Sequence, residues 1–274
     1  MATLDRVAQV PAYKVELKFH SSRPPSGMMA RKICESLQLA RGIATEGLEK
    51  LELTLNDPQH QNACPPALRV ALQAARYHFQ VDPGSPQKDQ IFSVLRDTAE
   101  GLNEQLTLSD VLNEYTYDSY KVYRDGLSED EARIDWAGDY RERMETRPVE
   151  GYVDVLEVKH QFLDGERTEK FPRSIHIEFS QALIYPELQL ARVILHEATH
   201  KFASTEDYAI TEEDVYTQLT AEERIHNADS FAYALLSIHL NQLIKDAPEY
   251  FQVVPQFRPR QDPSVPGRKR ADTW

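Results

Sequence analysis

Hydrophobic positions change their period several times along the chain, and each change marks an element. The opening stretch "AYKVELKFHSS" alternates apolar and polar residues, which predicts a strand ended by "RPPSG". From Met28 to about Leu55 the period is helical, with Ile33, Leu37, Ala40 and Ile43 at steps of three and four. "PPALRVALQAARYHF" starts a second helix, its prolines standing in the first turn where no backbone donor is needed. "QKDQIFSVLRDTAEGLN" reads as a third. Between about 108 and 150 the pattern fades into a polar, tyrosine-rich stretch; its "YTYDSYKVY" reads as solvated helix or loop rather than as a binding platform.

Periodicity returns at "RSIHIEFS", the clearest strand, with Ile175, Ile177 and Phe179 on one face and His176 and Glu178 on the other. A helix follows, started by Pro186 and Glu187 and striped by Leu188, Ala191, Leu195, Ala198 and Phe202. Thr220 and Glu223 form a T-x-x-E capping box ahead of "AEERIHNADSFAYALLSIHLNQLI", predicted as one long helix, apolar on most sides and therefore in the core. After Pro255 the tail is Pro-rich and locally basic, a composition that predicts disorder. The resulting plan is an N-terminal strand or extension over 1–25, a single domain over 26–250 and a tail over 251–274. Its fold class is α+β, mainly α, with a small antiparallel or mixed sheet.

Composition narrows the partners. With 41% hydrophobic residues in 274, a buried core is within reach, and the two cysteines, Cys34 and Cys64, are too few for a disulfide framework. No apolar run approaches the length of a membrane span. A formal charge of −13 opposes nucleic-acid binding, which needs a positive field, and favours basic partners or substrates. The N-terminus has no basic start followed by an apolar run, so cytoplasmic synthesis without a signal peptide is expected, with leaderless export as the other route.

Candidate chemistry sits in "VILHEATHKFASTEDYAI", residues 193–210, which contains H-E-x-x-H. Positions i and i+4 of a helix lie on one face, so His196 and His200 can direct two imidazoles at one zinc ion. Glu197, next to the first histidine, is placed to act as general base toward a water activated by that ion. A catalytic zinc takes three protein ligands and keeps one position open. Glu206, Asp207, Asp214, His226 and Asp229 are candidates for the third, and spacing does not decide among them. Between 203 and 223 stand seven acids (Glu206, Asp207, Glu212, Glu213, Asp214, Glu222, Glu223) and no lysine or arginine, a run that beside a cleft favours cationic substrates.

"HEATHKF", "STEDYAI" and "NADSF" together resemble the deuterolysin-type zinc metallopeptidases, the aspzincins, which include lysine-specific metallo-endopeptidases and bacterial relatives. The family pattern is H-E-x-x-H, a G-T-x-D-x-x-Y stretch and N-A-D on a later helix; the likeness runs from about 175 to 240. It implies zinc ligands His196, His200 and Asp207, Glu197 as base, and a zincin-like, mainly helical fold whose edge strand holds an extended peptide, here "SIHIEFS". The implied activity is endopeptidase action on protein or peptide substrates, in a bacterial setting as a secreted toxin or effector.

Several positions depart from that pattern. Ser204 replaces the family's glycine, and the link from His200 to Asp207 is short. Ile210 replaces the tyrosine that supports the oxyanion, a loss worth on the order of 10²–10³ in rate unless Tyr208 or Tyr216 substitutes. Asp229 corresponds to an acid of the substrate-lysine pocket, but its partner acid is replaced by Ala232, which implies a broad specificity with a basic bias. Asp229 has a second expected role as orienting partner of a ligand histidine, and Asn227 reads as structural. Two other functional readings accompany the endopeptidase: a zinc-bound scaffold without activity, motivated by Ile210, and a zinc hydrolase of a non-peptide or cell-wall amide.

Overall fold

The computed structural model describes residues 5–20, 24–110, 151–162, 165–211 and 214–245. The tyrosine-rich stretch after 110 and the tail after 245 lie outside these residues, and with them the expectations of a solvated middle and a disordered tail. Among the described residues the sheet has five strands: β1 (Asp5–Val10), β2 (Val15–His20), β3 (Leu106–Asp110), β4 (Gly151–Phe162) and β5 (Gly165–Ile177). Their order is β1-β2-β3-β5-β4. β1 and β2 form an antiparallel hairpin, β2–β3 and β3–β5 are parallel, and β4 and β5 are antiparallel.

This order corrects one expectation. The first four residues of "SIHIEFS", Ser174 to Ile177, end β5, and there β5 is flanked by β3 on one side and β4 on the other, while Phe179 already begins a 3-10 turn. The backbone groups of β5 face two neighbours there, so it has no free edge for a peptide. Among the described residues the edge strands are β1 and β4.

Six α-helices are present among the described residues: α1 (Gly27–Leu55), α2 (Arg69–Ala74), α3 (Lys88–Asn103), α4 (Glu187–Ala203), α5 (Ala221–His226) and α6 (Ala228–His239). The second sequence-predicted helix is a composite, a 3-10 turn at Pro66–Leu68, then α2, then a π turn at Ala75–Phe79. The helix predicted as continuous from 221 onward is two helices, interrupted at Asn227, whose backbone is extended (φ −92°, ψ 120°). The Thr220–Glu223 capping box opens the first of them as expected.

One apolar core joins sheet and helices. Val15, Leu17 and Phe19 of β2, Leu108 of β3 and Ile175 and Ile177 of β5 share it with residues of α1, α3, α4 and α6. The N-terminal strand is therefore part of the domain's core. α4 packs against α1, α3, α6, β4 and β5. Such enclosure explains why far more than a stripe is buried on it: Leu190, Ala191, Val193, Ile194, Leu195 and Ala198 are all inside, while Leu188 and Phe202 are partly so. Close passage of α3 requires glycine at 101, because a Cβ there would run into the Phe202 ring. No helix among the described residues is long and apolar enough to cross a membrane.

Candidate metal centre

α4 stacks His196 and His200 one turn apart, with their Nε2 atoms 3.1 Å from each other. The helix ends at Ser204, which takes the left-handed conformation (φ 54°, ψ 37°) while its N–H bonds the His200 carbonyl at 3.2 Å. That reversal, ordinarily a glycine's position, sends residues 205–211 back past the histidines. Glu206 then pairs with the α5–α6 junction, donating to the His226 carbonyl at 2.7 Å and accepting from the Ala228 N–H at 2.9 Å. Asp207, the next residue, brings Oδ1 to 3.1 Å from His196 Nε2 and 3.2 Å from His200 Nε2.

Two imidazole nitrogens and one carboxylate oxygen thus form a nearly equilateral triangle. Tetrahedral zinc with bonds of about 2.0–2.1 Å separates its ligand atoms by roughly 3.3 Å, so the triangle matches in size and donor type. The outer bonds fix the rings in the state a metal needs. His200 Nδ1 lies 2.8 Å from the Thr205 carbonyl and His196 Nδ1 lies 2.7 Å from Asp229 Oδ1. Each Nδ1 faces an acceptor and so carries the hydrogen, which leaves both Nε2 lone pairs turned toward Asp207. Three acceptors this close repel one another unless a cation or protons lie between them. Without metal the protons serve: burial works against charged histidine, yet bonds to Asp207 and Asp229 carry His196 well above its ordinary pKa, and Asp207 raises His200 as well. Asp207, despite the cost of burial, is held far below the usual carboxylate range by the two rings. Its side chain stays 63% exposed, so solvent reaches the triangle from that side.

Glu197 stands beside the triangle and outside it. It is buried, and burial raises its pKa despite the pull of His196 and His200. The first residue of β4 passes directly over it. A Cβ on Gly151 would lie 3.0 Å from Glu197 Cγ, Val193 Cγ1 and the His176 carbonyl oxygen. Glycine there lets the strand lie against the general-base candidate.

Of the five candidate third ligands, only Asp207 joins the histidines among the described residues; Glu206, Asp214, His226 and Asp229 do not. Asp229 has the contact expected of an orienting partner of a ligand histidine. It is 1% exposed, with Oδ1 on His196 Nδ1, Oδ2 accepting the Thr211 N–H at 2.9 Å, and the Arg192 guanidinium 3.7 Å away. Both of its oxygens are engaged inside the protein. Tyr208, expected as a catalytic residue, is 41% exposed and its hydroxyl interacts with Glu206, with Glu222 and Glu223 close enough to raise its pKa further. Tyr216 is fully buried, its hydroxyl shared between His78 Nδ1 at 2.8 Å and Ser230 Oγ at 3.1 Å. Glu212 and Glu213 of the acidic run lie outside the described residues.

Sequence reasoning missed Thr205, Thr211, Gly151 and Arg192. The shortest contact of Thr205 with His200 and the bond from Thr211 to Asp229 are made by backbone atoms, which leave no mark in side-chain pattern. The helix break had a signal: Asn227 opens a second segment seven positions after the Thr220 cap, and asparagine favours N-cap positions over helix interiors.

No protein-family model matches this chain, and no curated protein matches it either. Among solved structures it is similar to one described as a zinc peptidase from Grifola frondosa, at 12% identity and a TM-score of 0.46, covering 80% of this chain and 98% of that one.

Proposed function

We propose that this chain is a zinc-dependent endopeptidase. The observation that carries the reading is the His196–His200–Asp207 triangle with both Nε2 lone pairs turned inward and a buried glutamate, Glu197, left over beside it. A purely structural zinc site has no use for that fourth group. When bound, zinc supplies a Lewis acid and a coordinated water of pKa about 7. Glu197, with its basicity raised by burial, accepts the proton of the attacking water and returns it to the leaving amine. Asp229 and Thr205 hold the two rings in the ligating tautomer throughout. β4, paired on one side among the described residues and passing over Glu197 at Gly151, is the edge along which an extended peptide adds. Since Asp229 is internal, any bias toward basic peptides comes from the field of exposed Glu206, Asp214 and Glu222 and not from a built pocket.

One observation favours a second reading, a zinc-bound scaffold without peptidase activity. Ile210 is 46% exposed where the resemblance calls for a tyrosine, and the hydroxyls of Tyr208 and Tyr216 are engaged elsewhere. Zinc analysis combined with digestion of a peptide library separates the two. The endopeptidase reading expects one zinc per chain, cleavage by wild type, and no cleavage by a zinc-loaded Glu197→Gln variant. Zinc without cleavage favours the scaffold, and a chain that takes up no zinc contradicts both.

A further inference from the structure

The interruption between α5 and α6 coincides with the metal centre, and the residue that makes it behaves unlike an ordinary helix cap. Asn227 is completely buried and occupies the N-cap of α6. A side-chain oxygen there normally accepts an N–H from the first turn of its own helix. Here no such bond forms. The carboxamide turns instead to the loop that carries the third ligand. Its Oδ1 accepts from the Tyr208 N–H at 2.9 Å and the Ala209 N–H at 3.2 Å, and its Nδ2 donates to the Ala209 carbonyl at 3.0 Å and to Ser230 Oγ at 3.3 Å. Both ends of the amide are fully used, which also fixes its orientation.

The main chain completes the grip. Because Asn227 is extended rather than helical, the peptide groups on either side of it are free to exchange hydrogen bonds with Glu206. Thus the residue before Asp207 is paired to the backbone flanking Asn227, and the two residues after it are bonded to the Asn227 side chain. Asp207 lies between these anchors, and its carboxylate is the group delivered to the two imidazoles.

We infer that Asn227 is a positioning residue for the metal centre: it sets zinc affinity by holding Asp207 in its ligating place before the ion arrives. The inference rests on the zinc-site reading above. A largely exposed aspartate on an unpinned loop loses conformational freedom when it ligates, and pre-organisation removes that cost from the binding step. Behind Asn227 the grip continues into the core, from Ser230 Oγ to the Tyr216 hydroxyl, to His78 Nδ1, and from His78 Nε2 to the Ile244 carbonyl at 3.0 Å.

A double-mutant cycle on zinc affinity, measured by competition with a chromophoric chelator, tests this. Asn227→Ala is expected to weaken zinc binding about 10- to 100-fold, the range typical of residues that orient a ligand. In an Asp207→Ala background the same change should add nothing, because the group it positions is gone. Ser237→Ala, which removes a buried hydroxyl bonded to Tyr233 and Ile244 in the same helix, should lower stability and leave zinc affinity unchanged. Asn227→Ser keeps an uncharged residue that suits the α6 N-cap but cannot span to Tyr208 and Ala209, so it should fold and show a loss in the same direction; it carries the test if the alanine variant does not fold. Unchanged affinity in a folded Asn227 variant overturns the inference, as does a loss fully additive with Asp207→Ala. A wild-type chain that binds no zinc overturns the site reading itself, and the inference with it.

Discussion

Histidines in the core and at the metal centre, the first fully buried and the others partly so, have opposite fates. His78 lies in the core with both nitrogens occupied: Nε2 donates to the Ile244 carbonyl and Nδ1 pairs with the Tyr216 hydroxyl. Neither nitrogen is left over, no carboxylate among the described residues bonds to it, and burial drives its pKa down to about 3. His196 and His200 use only Nδ1 in this way and keep Nε2 for Asp207, whose charge raises both above their ordinary pKa. Burial alone therefore does not make a metal site. A ligating histidine needs one nitrogen tied to an outer acceptor and the other aimed at an anionic neighbour.

The largest effect expected from this contrast is on metal binding. Replacing His196 or His200 by alanine should abolish tight zinc uptake, whereas His78→Ala should retain stoichiometric zinc and lower stability. The latter takes the partner from the buried Ile244 carbonyl, at a cost of about 1–3 kcal/mol, and leaves the Tyr216 hydroxyl with Ser230 alone. Metal analysis and denaturant unfolding of the variants measure both. Zinc loss in His78→Ala at native fold would break the comparison.

The outer partner of His196 comes next. Asp229→Asn keeps an acceptor for Nδ1–H but removes the charge, and zinc affinity is expected to fall about 10-fold or more. Because Asp229 faces inward, the ranking of lysine over neutral residues among any cleavage products should not change.

A smaller effect, of opposite sign in the two groups, is the pH dependence of the metal-free protein. His196 and His200 have raised folded-state values, so the stability they contribute is complete below the ordinary histidine value of about 6.5 and is lost as pH rises through the folded ones. His78 has a lowered value, so its contribution is complete above about 6.5 and is lost as pH falls toward 3. With chelator present, thermal unfolding of wild type should show a decline in alkaline buffer that His200→Ala reduces, and an acid decline that His78→Ala reduces. Excess zinc should reverse the alkaline trend, since protons compete with the metal for the same nitrogens. An alkaline decline identical in wild type and His200→Ala would contradict this account of the site.

The smallest effect is local. Ser204 holds a left-handed conformation that glycine adopts without strain, so Ser204→Gly should raise stability by about 0.5–1 kcal/mol and leave zinc affinity unchanged.

Legibility in the sequence follows the same physical division. His196, Glu197 and His200 were readable because a helix fixes what four residues of spacing mean in space. Asp207 followed only from the resemblance, since loop positions have no period. Asp229 was legible as the orienting partner of a ligand histidine, but which histidine it meets, and that its second oxygen turns to Thr211, depend on how two helices and a loop pack. β4 escaped notice because its register shifts between Val153 and Val155, which breaks the alternation that announces a strand. β3, with five residues, is too short to establish one. The order of strands, and with it the identity of the free edge, is set by long-range pairing and left no local trace.

Anomalous diffraction from crystals of the zinc-loaded chain tests the central claim most directly. The account predicts one ion, about 2.0–2.1 Å from His196 Nε2, His200 Nε2 and an Asp207 oxygen, with Asp229 retained on His196 Nδ1. An ion coordinated by Asp229 in place of Asp207, or no ion between the two histidines, would contradict it.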